Sequence, residues 1–165
     1  MGTAVSIDVR DDVDGEPGLV ELIRWLHHVD RAFSTWKDDS EISRLGRGEV
    51  ELADVTPEVR DVLRRCEAIR EVTGGAFDAF AVPAPNGTQL DPSGFVKGWS
   101  IERGAAILES HGLTSFAINA GGDVVVRGTP APDPAWRIGI RSPDDAAATD
   151  AVLVLDVPLG VATVS

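Results

Sequence analysis

Cysteine is nearly absent from the 165 residues. Cys66 stands alone, which excludes an internal disulfide framework and any zinc cluster built on cysteines. No run approaches the roughly 20 apolar residues of a membrane span. The N-terminus also lacks the basic-then-apolar order of a signal segment. The expectation is therefore a cytoplasmic chain without a membrane span. Positive charge is scarce as well, with 15 Lys and Arg against 27 Asp and Glu and a formal net charge of -12. The basic residues are interleaved with acids, so no patch forms that would attract phosphate backbones or anionic lipid. That composition excludes a nucleic-acid role and argues against a membrane-surface one.

Familiar catalytic signatures are missing too. No metal-binding H-E-x-x-H, serine-nucleophile or phosphate-loop lysine motif occurs. Gly46-Arg47-Gly48 lacks the third glycine of a dinucleotide fingerprint and follows no strand. His27, His28 and His111 fall in helical segments and read as surface or packing residues. Met1-Gly2-Thr3-Ala4-Val5-Ser6 fits a myristoylation pattern, but the same residues begin an alternating strand, which is the reading adopted.

What is present describes a globular chain long enough for one ordinary domain, 43% hydrophobic, with 17 glycines and 10 prolines to make turns. No repeat or internal boundary is visible, so residues 1–165 are expected to form a single domain. Val5, Ile7 and Val9 alternate with Ser6 and Asp8 as in a strand. Pro17 opens a helix whose stripe is Leu19, Leu22, Ile23, Leu26, Val29 and Phe33. Asp38 and Glu41 signal a brief helix ending at Gly46. Thr56 and Pro57 start a long helix, and Gly74-Gly75 stop it. Its buried stripe is Val59, Val62, Leu63, Cys66, Ile69 and Val72, which makes Cys66 a core residue. A third helix is expected from about Lys97 to His111. Strands follow at Ser115–Asn119, Asp123–Arg127, Trp136–Arg141 and Ala151–Val157. Helices first and hairpin-like strands later predict an α+β fold, with helices on one face of mostly antiparallel sheet.

Three loops stand out between these elements. Gly74 to Asp78 places Phe77 and Asp78 just past a helix end. Asp91 to Trp99 opens a helix, where unpaired amides, positive potential and Lys97 are ingredients of a phosphate site. Asn119 to Asp123 is a tight turn that a ligand can approach closely. Each also has a plain reading, as a C-cap, an N-cap and a hairpin turn. Together they favour an anionic, planar ligand, and spacing carries the matter no further than a phosphate-bearing molecule.

At these residues the sequence resembles the ApbE family of FAD:protein FMN transferases. The resemblance is carried, in family order, by Met1-Gly2-Thr3, by Ser34-Thr35-Trp36 with Ser40 to Leu45, and by Gly75-Ala76-Phe77-Asp78. It continues through Asp91 to Lys97-Gly98, Gly121-Gly122-Asp123, Trp136 to Ile140, and Ala162-Thr163. It implies an ApbE-like fold and Mg²⁺-dependent cleavage of FAD. The FMN half would pass to a Ser or Thr hydroxyl of a target flavoprotein, with release of AMP. It implies Met1 and Trp36 as apolar and aromatic walls of the FAD pocket, and Ala76, Phe77 and Asp78 as a loop gripping FAD. Asp91 and Lys97 match polar FAD contacts, Asn119 and Asp123 further hydrogen-bonding groups, and the Gly94 carbonyl a magnesium ligand.

Two departures qualify the resemblance. Gly46 stands where family members usually carry Asn after Ser-Arg-Leu. The family also continues past the Ala-Thr segment to a His-Ile-x-Asp-Pro motif and to an Asp and a Thr that ligate magnesium. The catalytic groups are therefore expected beyond Ser165, and the chain alone is expected to be a poor catalyst, because Mg²⁺ demands near-octahedral oxygen ligation. The alternatives are a non-catalytic FAD-binding protein, an FAD pyrophosphatase, or a structural domain. Neither the acceptor's identity nor an oligomeric state is legible in the sequence.

Overall fold

Alternation along the first segment is realised as β1 (Val5–Val9), whose apolar residues are half-buried while Ser6 and Asp8 are exposed. The computed structural model describes residues 3–12, 15–81, 83–145 and 147–155, and the backbone of 160–161. Helix α1 (Glu16–Phe33) buries Leu22, Val29 and Phe33, together with Ala32. Ile23, expected in the buried stripe, is instead 48% exposed.

Helix α2 (Glu41–Gly46) is capped by Ser40 rather than Asp38. The Ser40 hydroxyl accepts the Ser43 amide at 3.1 Å, since the residue directly before the helix is the one in reach of that amide. Helix α3 (Pro57–Val72) carries Pro57 in its first turn, but the hydroxyl of Thr56 makes no cap bond. The carboxylate of Glu41 takes over, accepting from the Thr56 amide at 2.6 Å and from its hydroxyl at 3.1 Å. Val59, Val62 and Cys66 are buried as expected, whereas Val72, in the last turn, is exposed. Helix α4 (Ser93–Ser110) starts four residues before the expected Lys97 and ends before His111. Pro92 and Asp91 bring the start forward: the Pro92 carbonyl accepts the Val96 amide at 3.0 Å, and the Asp91 carboxylate accepts that of Ser93 at 2.9 Å.

The chain divides into two compact units. The first covers residues 23–100 and the second 3–22 with 101–165, over the described residues. In the first unit the core gathers Val29, Phe33, Ile42, Val59, Val62 and Val96, with Trp25, Phe77 and Trp99 packed against it. Trp99 meets the rings of Trp25 and Phe33 edge-on at 5.2 and 5.5 Å.

The second unit holds β2 (Phe116–Ala120), β3 (Asp123–Arg127), β4 (Trp136–Arg141), β5 (Thr149–Leu155) and β6 (Gly160–Val161). Every pairing is antiparallel. One sheet runs β1-β2-β3-β6, and β4-β5 forms a separate pair. The register Val5↔Ala120, Ile7↔Ile118 and Val9↔Phe116 puts the apolar residues on one face. Leu22 of α1 and Gly104 of α4 lie on this face; a Cβ at Gly104 would fall 2.5 Å from the tip of Leu22 and 3.7 Å from that of Ile118. The opposite face of β3 is covered by the strand pair, with Val124 and Val126 against Trp136, Ile138 and Leu155. The second unit's parts of α1 and α4 thus lie on one face, and a second small sheet takes part of the other. Residues 156 and 157 of the expected last strand lie outside the described residues, and β6 was not foreseen.

Asp11 ties the start of the second unit to β2. Its carboxylate accepts from the Thr114 amide and hydroxyl at 3.0 and 2.8 Å and from the Ser115 amide at 2.9 Å. Partial burial pushes this carboxyl upward, but the hydrogen bonds from Ser115 and Thr114 outweigh it and hold it below its usual range. A lowered folded value means stability that is present above the unfolded pKa of ~3.9 and lost as pH falls through the folded one. Denaturant titrations should therefore show wild type more stable than Asp11→Asn at neutral pH, with the gap closing in acid. A gap independent of pH would refute the assignment.

Candidate functional site

In the first unit the two site-bearing loops are bonded together. The Asp91 amide donates to the Ala79 carbonyl at 2.8 Å, and the ring of Phe77 lies over Gly94, where an added Cβ would come within 3.3 Å of it. Upstream, the Phe77 amide donates to the Thr73 hydroxyl at 3.2 Å, and Asp78 closes its own turn by accepting the Phe80 amide at 2.8 Å. Ala76 is exposed, and Phe77 and Asp78 are half-buried. The structure thus brings Ala76, Phe77, Asp78, Asp91, Gly94 and Lys97 onto adjoining segments. Trp36 stands in the turn before α2 with 77% of its surface exposed, its amide donating to the Ser34 hydroxyl at 3.3 Å.

The start of α4 differs from the sequence expectation in one respect. Of its first four amides, that of Ser93 donates to Asp91, and those of Phe95 and Val96 both donate to the Pro92 carbonyl at 2.9 and 3.0 Å. Most of the donors expected for an anion are therefore already used within the chain. The dipole remains, although the Asp91 carboxylate already sits at its positive end and no further acidic residue lies in the first turn, and the half-buried Lys97 adds a full charge one turn in. Asp91 has a structural task as the residue that starts the helix, beside any ligand contact.

The expected magnesium ligand, the Gly94 carbonyl, belongs to the first turn of α4. Among the described residues no group of three or more His, Cys, Asp or Glu side chains is placed to hold a metal ion. One backbone oxygen does not make a site for an ion that requires six, so the described donors do not fit Mg²⁺.

In the second unit, Asn119 and Asp123 frame the turn between β2 and β3. The Asn119 carbonyl oxygen accepts the Gly122 amide at 3.0 Å. Gly121 and Gly122 both have positive φ, 55° and 103°, the backbone that a two-residue hairpin needs and that glycine adopts without steric cost. A Cβ on Gly121 would also collide with the Thr3 hydroxyl. Asn119 is exposed and Asp123 is buried. Met1 lies outside the described residues. Cys66 is buried and its thiol is pushed up to about 11 by desolvation, which leaves it unreactive. His111 donates from Nε2 to the Glu21 carboxylate at 2.7 Å, and His28 packs 5.6 Å from the Trp25 ring, in line with surface and packing roles.

Sequence reasoning missed two concave regions. In the second unit a groove of about 1120 Å³ runs past Ser6, Asn119, Trp136 and Arg137. In the first, an apolar pocket of about 520 Å³ is lined by Leu45, Gly46, Leu63, Phe80 and Leu90. Gly46 itself is explained here: a Cβ would sit 2.8 Å from the hydroxyl oxygen and 2.9 Å from the Cβ of Thr88. Thr88 is buried, so position 46 has no room for asparagine unless the 84–90 turn moves. Local pattern carried no signal for this contact, since 42 positions separate the two residues.

Comparison with known proteins agrees with this architecture. The profile of the ApbE family matches residues 1–86 and 81–165. An FAD:protein FMN transferase of Vibrio cholerae is 23% identical, over 87% of this chain and 57% of its own length. One from Rhodobacter capsulatus is 29% identical, over 76% of this chain and 20% of its own. The crystal structure of the ApbE protein of Thermotoga maritima superimposes with a TM-score of 0.78 at 20% identity, covering 94% of this chain and 65% of that one. The chain therefore spans less than two thirds of each of these relatives. With the profile matched from end to end and the α+β architecture shared, the chain belongs to the ApbE family.

Proposed function

We propose that the whole protein is an FAD:protein FMN transferase and that residues 1–165 contribute the FAD-gripping part of a single ApbE-like domain. The observation that carries this reading is the joining of Phe77, Asp78, Asp91, Gly94 and Lys97 on bonded segments, in a chain whose curated relatives bear that name. FAD is the substrate. In the reaction a Ser or Thr hydroxyl oxygen of a target flavoprotein forms a new P–O bond to the FMN phosphorus. The bridging P–O bond of the pyrophosphate breaks, AMP leaves with the bridging oxygen, and the hydroxyl proton is released. Phosphoryl transfer of this kind rests on positioning and on neutralising charge on the phosphate oxygens. Lys97 and the α4 dipole provide the neutralising side, Phe77 and Trp36 offer ring faces to a flavin or adenine, and Asp78 and Asp91 fix the loops between them. Mg²⁺ would serve the whole enzyme by neutralising phosphate charge, but the described residues do not form its site.

A second reading, in which FAD is bound intact or hydrolysed to FMN and AMP without an acceptor, is motivated by Gly46, packed against Thr88 where the family usually carries Asn. One experiment separates them. Incubation of the whole protein with FAD, Mg²⁺ and flavodoxin-like or redox-subunit acceptors should yield a fluorescent acceptor band on a denaturing gel, with AMP in the supernatant. Intact FAD recovered with no labelled band would overturn transfer and leave binding. FMN and AMP without a band would identify hydrolysis.

A further inference from the structure

Beneath the exposed Trp36 lies a chain of buried polar groups that neither the motifs nor the proposed chemistry uses. The Ser34 carbonyl accepts from the hydroxyls of Ser40 and Ser43 at 2.7 and 3.3 Å, and the Ser34 hydroxyl accepts the Trp36 amide. Ser34, Ser40 and Ser43 are all buried, as is Thr88. From the far side Asn86 reaches in: its amide nitrogen donates to the Ser43 hydroxyl at 2.7 Å. Its oxygen accepts from the Thr88 amide and hydroxyl at 3.0 and 2.9 Å, and the Thr88 hydroxyl in turn accepts the Leu90 amide at 3.4 Å. The path is continuous from Leu90, next to Asp91, to Trp36.

Two features set this apart from ordinary loop bonding. No buried side-chain polar atom among the described residues lacks a partner, and a fully satisfied buried network selects one geometry, since any shift strands a polar group at a cost. The network is also the bridge between segments of distant sequence, 34–43 and 86–90, each of which adjoins a residue of the candidate site. Gly46 clears the space that Thr88 occupies, so the bridge is packed as well as bonded.

We infer that Asn86 is a positioning residue of this site: through Ser43 and Ser34 it holds the turn that presents the Trp36 indole, and through Thr88 it holds the segment that leads into Asp91. It touches no ligand and acts through its partners. For FAD the inference rests on the transferase-family reading above, whereas the presentation of Trp36 does not.

The test uses protein labelled with 5-fluorotryptophan, whose four tryptophans give four fluorine resonances, that of Trp36 assigned by its loss in Trp36→Phe. In Asn86→Ala the Trp36 line should shift or broaden while that of Trp136 stays in place, and the Kd for FAD should rise about fivefold, the scale of one lost buried hydrogen bond. Ser43→Ala should produce the same displacement, and the double variant no more than either alone, because both break one path. A merely structural role would lower thermal stability and leave both the Trp36 line and the relative FAD affinity unchanged. An unmoved Trp36 line in folded Asn86→Ala overturns the inference, and if that variant does not fold, an unmoved line in Ser43→Ala does so. Should the wild type itself fail to bind FAD, the flavin reading falls, while the fluorine line still decides the positioning.

Discussion

Gly128→Ala is expected to destabilise the protein by about 3 kcal/mol or more, lowering the thermal midpoint by roughly 6–12 °C for a chain of this size. Gly128 has a φ of 56°, a left-handed backbone that costs an alanine about 1–2 kcal/mol by itself. The added Cβ would also collide with the Thr114 carbonyl oxygen and come within 3.1 Å of the Ser115 Cα. These are backbone atoms, and they are anchored. Asp11 accepts both of their amides, and the Arg10 amide donates to the Ser115 carbonyl at 2.8 Å. Any retreat of Gly128 pulls on Trp136, whose indole nitrogen donates to the Gly128 carbonyl at 3.0 Å. Gly48→Ala is the matched control, with a φ of 70° and nothing within 4 Å of the new atom. It carries the conformational cost alone. Thermal unfolding of the two variants isolates the collision, and equal losses would show that the Thr114 turn yields freely.

The second large effect concerns ligand affinity. Lys97→Ala should weaken FAD binding about tenfold at low salt, and Arg65→Ala less than twofold, although both remove one positive charge. The reason is local. With the amides of Ser93, Phe95 and Val96 already bonded within the chain, attraction of a pyrophosphate to the start of α4 falls mainly to the dipole and to Lys97. Arg65 sits on α3, exposed and paired with Asp61 at 2.7 Å, where solvent screens it. The net charge of -12 opposes any anion, so removing a cation from the first turns of α4 costs more than it would on a neutral surface. The difference between wild type and Lys97→Ala should shrink as salt is raised toward 1 M, because a charge at the surface is then screened within about 3 Å. Equal loss in the two variants, measured by titration of flavin fluorescence, would remove Lys97 from the site.

These two cases mark different depths of sequence information. Lys97 and the Asp91–Trp99 loop were visible because a proline, two glycines and a lysine beside a helix start are local signals. The number of helix-start amides left for a ligand was not visible, since it depends on whether Asp91 folds back on Ser93 and on how the Pro92 carbonyl is shared. Gly128 gave no signal at all. Its role exists only because β3 ends beside a turn held by Asp11, more than 100 residues earlier in the chain.

By itself the sequence determined what neighbours along the chain decide. The alternation of β1, the Pro57 start and Gly74-Gly75 stop of α3, the Gly121-Gly122 hairpin and the α+β order all follow from side-chain period and backbone preference. The order of family motifs pointed to the family, which the profile match shows. Tertiary structure alone decided which distant groups close those elements. Glu41 rather than a local hydroxyl bonds Thr56, β1 pairs with β2 across the whole helical segment, Thr88 fills the space at Gly46, and Asn86 joins the Trp36 turn to the Asp91 loop. Such partners are set by packing and by the cost of leaving a buried polar group unpaired, and neither has a period in sequence.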